Sequence, residues 1–146
     1  MLTVRDEQID VFERRLFEAM QQRVEQAVGA AFPEISGQKV ALAPGADSDP
    51  AVRVRSIVER GIENAVGVDI DDAPDFAAFI ALGLALRLAP PGPSGSWIQA
   101  WLTRPDAPGQ TKLRMIESRL RRLAKADPAM AAVAKRVAMA REMMSP

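Results

Sequence analysis

Phe76-Ala-Ala-Phe-Ile-Ala-Leu-Gly-Leu-Ala-Leu-Arg-Leu88 is the stretch on which the fold turns. Its thirteen residues carry one charge, Arg87, near the end. A bilayer span needs about 20 apolar residues, so this run is too short to cross one. A helix that is apolar nearly all round belongs in a protein interior, and the run predicts a central buried helix. Asp71 or Asp72 is placed to cap it, and Pro74 suits its first turn.

Helical periodicity continues outward in both directions, with no sustained period-two segment. Upstream, Val54, Ile57, Val58, Ile62, Ala65 and Val66 mark a second helix, opened by Asp49-Pro50 and closed by Gly67. Gly61 lies inside that stripe, where glycine costs about 1 kcal/mol relative to alanine. A close helix–helix crossing would justify it. Residues 34–48 read as a loop, with Lys39–Ala43 briefly extended. Before them, Ile9, Phe12, Leu16, Met20, Val24, Ala27 and Ala31 recur at steps of three and four, widened by Phe17 and Val28. Thr3 and Asp6 occupy capping-box positions, and Pro33 stops this first helix. Downstream, the breaker 89–96 precedes a short helix at Trp97–Leu102. Leu113, Ile116, Leu120 and Leu123 then mark another, and Asp127-Pro128 opens a last one with Met130, Val133, Val137, Ala140 and Met144 inward. Met115 and Met130 are expected in the core, whereas Met143 and Met144 are harder to place there. The expectation is an all-α bundle of five or six helices forming a single domain over 1–146, with 104–146 as a basic C-terminal helical pair.

The 146 residues include 48% apolar ones, 19 Lys and Arg, 19 Asp and Glu, and no His, Cys or Tyr. Nearly half the chain can be buried, which argues against disorder. Without Cys and His, a thiolate nucleophile, a disulfide framework, a structural zinc centre, a serine–histidine triad and an imidazole base are all excluded. The first fifteen residues alternate charge with apolar groups and do not form a signal peptide. A cytoplasmic location is expected. The zero net charge conceals a polarity: residues 1–103 sum to −6 and residues 104–146 to +6. Either the basic part folds back onto the acidic part, or charged edges remain to steer a partner.

Motif tests narrow the chemistry. Asp69-Ile-Asp71-Asp72-Ala-Pro-Asp75 invites comparison with a calcium loop, which needs glycine at its sixth position and glutamate at its twelfth. Pro74 and Ile80 stand there, so no metal site is expected and helix capping explains the acids better. Glu59 and Glu63 are a carboxylate pair one helical turn apart, but nothing around them resembles a sugar cleft. The Phe residues lie on core stripes, and no glycine-rich phosphate loop is present. The reading is therefore non-enzymatic, with no catalytic residue and no cofactor. Arg121, Arg122 and Lys125 share one side of their helix while Arg119 stands apart. With a sequence pI near 6.3, a nucleic-acid footprint is weak.

Val54-x-x-Ile57-x-x-x-Gly61-Ile62-x-x-Ala65-x-Gly67-Val68, then the acidic cap, Phe79-Ile80-x-Leu82, Trp97 and a proline-rich turn before a final helical pair, resembles a group of small helical bacterial proteins. That group is encoded beside spike and effector genes of type VI secretion systems. The opening Leu2–Arg5, Phe12 and Phe32-Pro33 are similar too. The resemblance implies an accessory role as adaptor, chaperone or immunity partner of a secreted toxin, and it transfers no catalytic residue. The combined expectation is a protein-binding chain whose partner is another protein, such as a secreted effector or spike component, or a second copy of itself. The candidate contact residues are Glu59, Glu63, Asp71, Asp72 and Asp75 on an acidic edge, and Arg119, Arg121, Arg122 and Lys125 on a basic one. A small nucleic-acid-associated regulator using the basic C-terminal helices is the alternative; no membrane partner is expected.

Overall fold

A computed structural model of the chain describes residues 3–35, 50–88 and 96–145, the first eight as backbone alone. These residues form six α-helices and no strand, the all-α bundle that the periodicity predicts. The helices are α1 (Thr3–Ala31), α2 (Pro50–Gly67), α3 (Ala73–Leu88), α4 (Ser96–Leu102), α5 (Gly109–Leu123) and α6 (Pro128–Met143), with a 3-10 turn at Pro33–Ile35. The extended reading of Lys39–Ala43, the Asp49 cap and the breaker at 89–95 lie outside the described residues. Ser96, assigned to that breaker, already belongs to α4. Among the described residues no helix is long and apolar enough to cross a membrane.

α3 is the hub that its composition requires. It packs most extensively on α6 and also touches α1, α2 and α5. Phe76, Ala77, Ala78, Ile80, Ala81, Leu82, Leu84 and Ala85 are all buried. Gly61 admits α2 to this hub, because a methyl group there would overlap the Ile80 side chain of α3. Gly109 performs a similar service for α5. A Cβ at that position would lie 2.8 Å from the carbonyl carbon of Val68 and closer still to its oxygen, and backbone cannot step aside.

The α2–α3 turn departs from the sequence reading. Its left-handed residue is Asp69, with φ 64°, rather than Gly67. Asp69 N donates to Val66 O at 3.1 Å and Ile70 N to Ala65 O at 3.0 Å, the paired bonds of a Schellman closure. Ile70 anchors it, fully buried. The start of α6 is as expected: Asp127 Oδ1 accepts from the amides of Ala129 at 3.0 Å and Met130 at 3.4 Å, followed by Pro128 in the first turn.

The apolar stripe of α1 is only half used. Val24, Ala27, Val28 and Ala31 are buried, but Val11, Phe12, Leu16 and Phe17 are exposed, Phe12 by 63%. Every side chain from Val11 to Ala19 is exposed. The cause is length: at 1.5 Å per residue the 29 residues of α1 span about 43 Å, against about 24 Å for the 16 of α3 or α6. The bundle covers the second half of α1, and the side chains from Val11 to Ala19 lie outside it. Val66 and Met115, also expected inward, are exposed, and Met144 is buried while Met143 is not.

These glycines give opposite expectations. Gly109→Ala should lower stability by about 1–3 kcal/mol through overpacking against fixed backbone. Gly83 lies in mid-helix with open space where a Cβ would go, so Gly83→Ala should gain up to about 1 kcal/mol. Thermal denaturation of the two variants checks both signs.

Candidate functional site

The charge polarity of the chain resolves into two populations. Some C-terminal bases do fold back onto the acidic part. Arg136 of α6 closes a two-bond clasp on Glu34, Nη1 to Oε1 at 2.6 Å and Nη2 to Oε2 at 2.7 Å. The same Nη1 donates to Ala31 O at 2.9 Å, and the guanidinium stacks 4.7 Å from the Phe32 ring centre. Arg136 thus caps the carbonyl end of α1 and ties it to α6. Its hydrogen bonds hold the Glu34 carboxyl below the usual carboxylate range, against the opposing pull of partial burial.

A second joint lies deeper. Arg141 of α6 donates to Glu117 of α5 through Nε at 2.8 Å and Nη2 at 2.7 Å, and its Nη1 lies 2.7 Å from Asp75 Oδ1 of α3. Burial alone would lower the guanidinium pKa, yet the two carboxylates outweigh it and raise it above the ordinary arginine value. Asp75 is 1% exposed, and its contact lacks the alignment of a hydrogen bond, so charge attraction holds it. This corrects the sequence reading of Asp75 as a member of the exposed acidic edge. An acid three residues from a helix start reads as a cap, and only the arrival of α6 makes it an internal partner. Lys112 is likewise internal: it is buried, and its Nζ donates to Leu102 O at 3.0 Å and Arg104 O at 2.6 Å, closing the end of α4.

The remaining candidates stay at the surface. Glu59, Glu63, Asp71 and Asp72 are exposed, with Glu59 accepting a long 3.4 Å bond from Gln21 Nε2. Arg119 is exposed and stacks 4.6 Å above the Trp97 ring centre of α4, away from the other three bases. Arg121, Arg122 and Lys125 are exposed, and among the described residues no ion pair engages them. The exposed acidic and basic candidates therefore do not neutralise one another; of the acidic candidates it is Asp75 that meets a C-terminal base, Arg141.

Arg121 also borders a cleft of about 240 Å³ between α5 and α6. Leu120, Ala134, Val137 and Ala138 form its apolar wall, and the Arg141–Glu117 joint forms part of its floor. Glu142 and Ser145 complete the lining, so that two bases, Arg121 and Arg141, stand against two acids, Glu117 and Glu142. Among the described residues no group of three or more acids forms a metal cradle. No protein-family model matches the chain, and neither a curated protein nor a solved structure does.

Sequence periodicity missed the exposed end of α1. It treated Phe12, Leu16 and Phe17 as core, although the excess length of their helix over its neighbours was a readable signal.

Two outcomes follow from the joints. Arg141→Met should destabilise by about 3 kcal/mol, because it strands two interior carboxylates, whereas Arg122→Met should change little. Glu34 titrates lower when folded than when unfolded, so its contribution is complete above the usual carboxylate range and lost as pH falls through the folded value. Glu34→Gln should therefore cost about 1 kcal/mol at pH 7, with the gap closing in acid. Denaturant titrations across pH measure both.

Proposed function

We propose that this chain is a non-enzymatic protein-binding module whose basic α5–α6 face docks an acidic partner. The observation that carries the reading is the placement of Arg121, exposed and unpaired among the described residues, at the rim of the apolar-walled cleft. Arg122 and Lys125 extend the same positive edge. Charges at such a rim raise association rate and orient the encounter, while an apolar anchor in the recess supplies affinity. The resemblance to small helical proteins encoded beside type VI secretion genes supports an effector or spike component as the partner, with this chain acting as adaptor, chaperone or immunity protein.

Purification of the tagged chain from its native cells should recover one defined protein. Arg121→Glu with Arg122→Glu should slow association about tenfold or more at low salt, with the difference shrinking as salt rises. Ala138→Trp should fill the recess and weaken binding at any salt. Both variants should keep the helical circular dichroism of the parent. Recovery of no protein, together with DNA binding whose affinity falls steeply with salt, would replace this reading with that of a nucleic-acid regulator.

A further inference from the structure

The cleft between α5 and α6 carries a charge that its exposed rim does not cancel. Its floor includes the Arg141–Glu117 joint, and Arg141 also reaches Asp75 behind it. One guanidinium therefore serves two buried carboxylates, which leaves one negative charge uncompensated in the interior. Neither oxygen of Asp75 has a hydrogen bond. A carboxylate placed there lacks both water and a full set of donors, and its field is weakly screened.

The rest of the lining adds to this charge more than it subtracts. Arg121 has the opposite sign, but it is exposed, and water and salt screen it. It stands one helical turn beyond Glu117, toward the short connection between α5 and α6. Glu142 follows Arg141 at the other end of the cleft, where it is exposed and joins no ion pair among the described residues. That end is also the last turn of α6, whose carbonyls form the negative pole of the helix. Leu120, Ala134, Val137 and Ala138 form the apolar wall between the two ends.

An aliphatic stem that ends in a cation matches each part of this lining. We propose that the recess takes a lysine or arginine side chain of the partner. Its methylenes lie on the Leu120–Val137 wall, its charged head sits between Glu117 and Glu142, and a neighbouring acid of the partner meets Arg121. Long basic side chains bury their stems in this way while the head stays near water. A wholly apolar anchor leaves the interior charge unanswered, and a carboxylate increases it. At about 240 Å³ the cleft is smaller than the usual pocket for a whole drug-sized molecule and suits one long side chain. The assignment rests on the docking reading of the same cleft and names what enters it.

Hexylammonium, hexanol and hexanoate share one stem and differ in charge, so they probe the cleft without a partner. Each is titrated into the full chain, with Ala and Val methyl groups followed by NMR. Ala134, Val137 and Ala138 should shift, and Ala138→Trp should abolish the response. Hexylammonium should bind about tenfold more tightly than hexanol, and hexanoate more weakly than either. Asp75→Asn and Glu142→Gln should each reduce that preference to about threefold or less while leaving hexanol binding unchanged. Glu142→Gln alters an exposed side chain, so it tests the preference even if Asp75→Asn unfolds the bundle. No shift at these methyls, equal affinity for hexylammonium and hexanol, or a preference undiminished by Glu142→Gln overturns the proposal. Tightest binding of hexanoate overturns it too, yet leaves the acidic-partner reading standing. A hexylammonium preference supports it, and failure to recover any partner from native cells then counts against the docking role alone.

Discussion

A helix with no polar face is stable in water only when other elements surround it, and α3 imposes that condition on the whole chain. Four other helices meet it. Each approach has its own local device. α2 comes close because Gly61 leaves room for Ile80, and α5 begins against the Val68 carbonyl because Gly109 has no side chain. α6 lies along α3 with Met130, Val133, Val137 and Ala140 buried. The one acid that α3 carries inward, Asp75, requires a cation from a neighbour, and Arg141 of α6 supplies it. The geometry of the bundle is thus a consequence of enclosing one segment.

Electrostatics divides along the same line. Arg136 and Arg141 are held in short bonds to Glu34 and Glu117, and Lys112 is given over to closing α4. Arg121 and Arg122, on the helix that carries Glu117, and Lys125, in the turn that follows it, remain in water. A net charge of zero therefore describes neither a self-neutralised surface nor two opposed halves. It combines a small set of directed interior pairs with two separate edges of opposite sign.

The parts of this structure legible in the sequence are those whose physics is local. The apolar run of α3, the proline starts of α2 and α6, the Asp127 cap and the crowding that calls for Gly61 all depend on residues within a few turns or on a single packing rule. The parts that were not legible depend on what arrives from elsewhere. Glu34 and Arg136 are 102 residues apart and Glu117 and Arg141 are 24 apart, so nothing in their neighbourhoods announces either pairing. The α1 stripe shows the complementary limit. Periodicity reports that a helix has an apolar face but not how much of it a neighbour covers, and Phe12 and Val24 look alike until helix lengths are compared. Among the candidate contact residues, Asp75 was misplaced for the first reason, while the exposed status of Arg121 and Arg122 followed from their position opposite Leu113, Ile116 and Leu120.

The last turns of α6 have a consequence for how the molecule opens. Helix ends ordinarily fray, since their final carbonyls lack partners. Here Met144 is buried, its carbonyl accepts a 2.9 Å bond from Arg23 of α1, and Arg141 one turn earlier holds acids of α3 and α5. Peeling this end would expose an apolar side chain and strand two carboxylates at once, so each small opening carries the cost of a large one. The terminus of α6 is thus tied to α1, α3 and α5 at once, which couples its opening to the separation of all three.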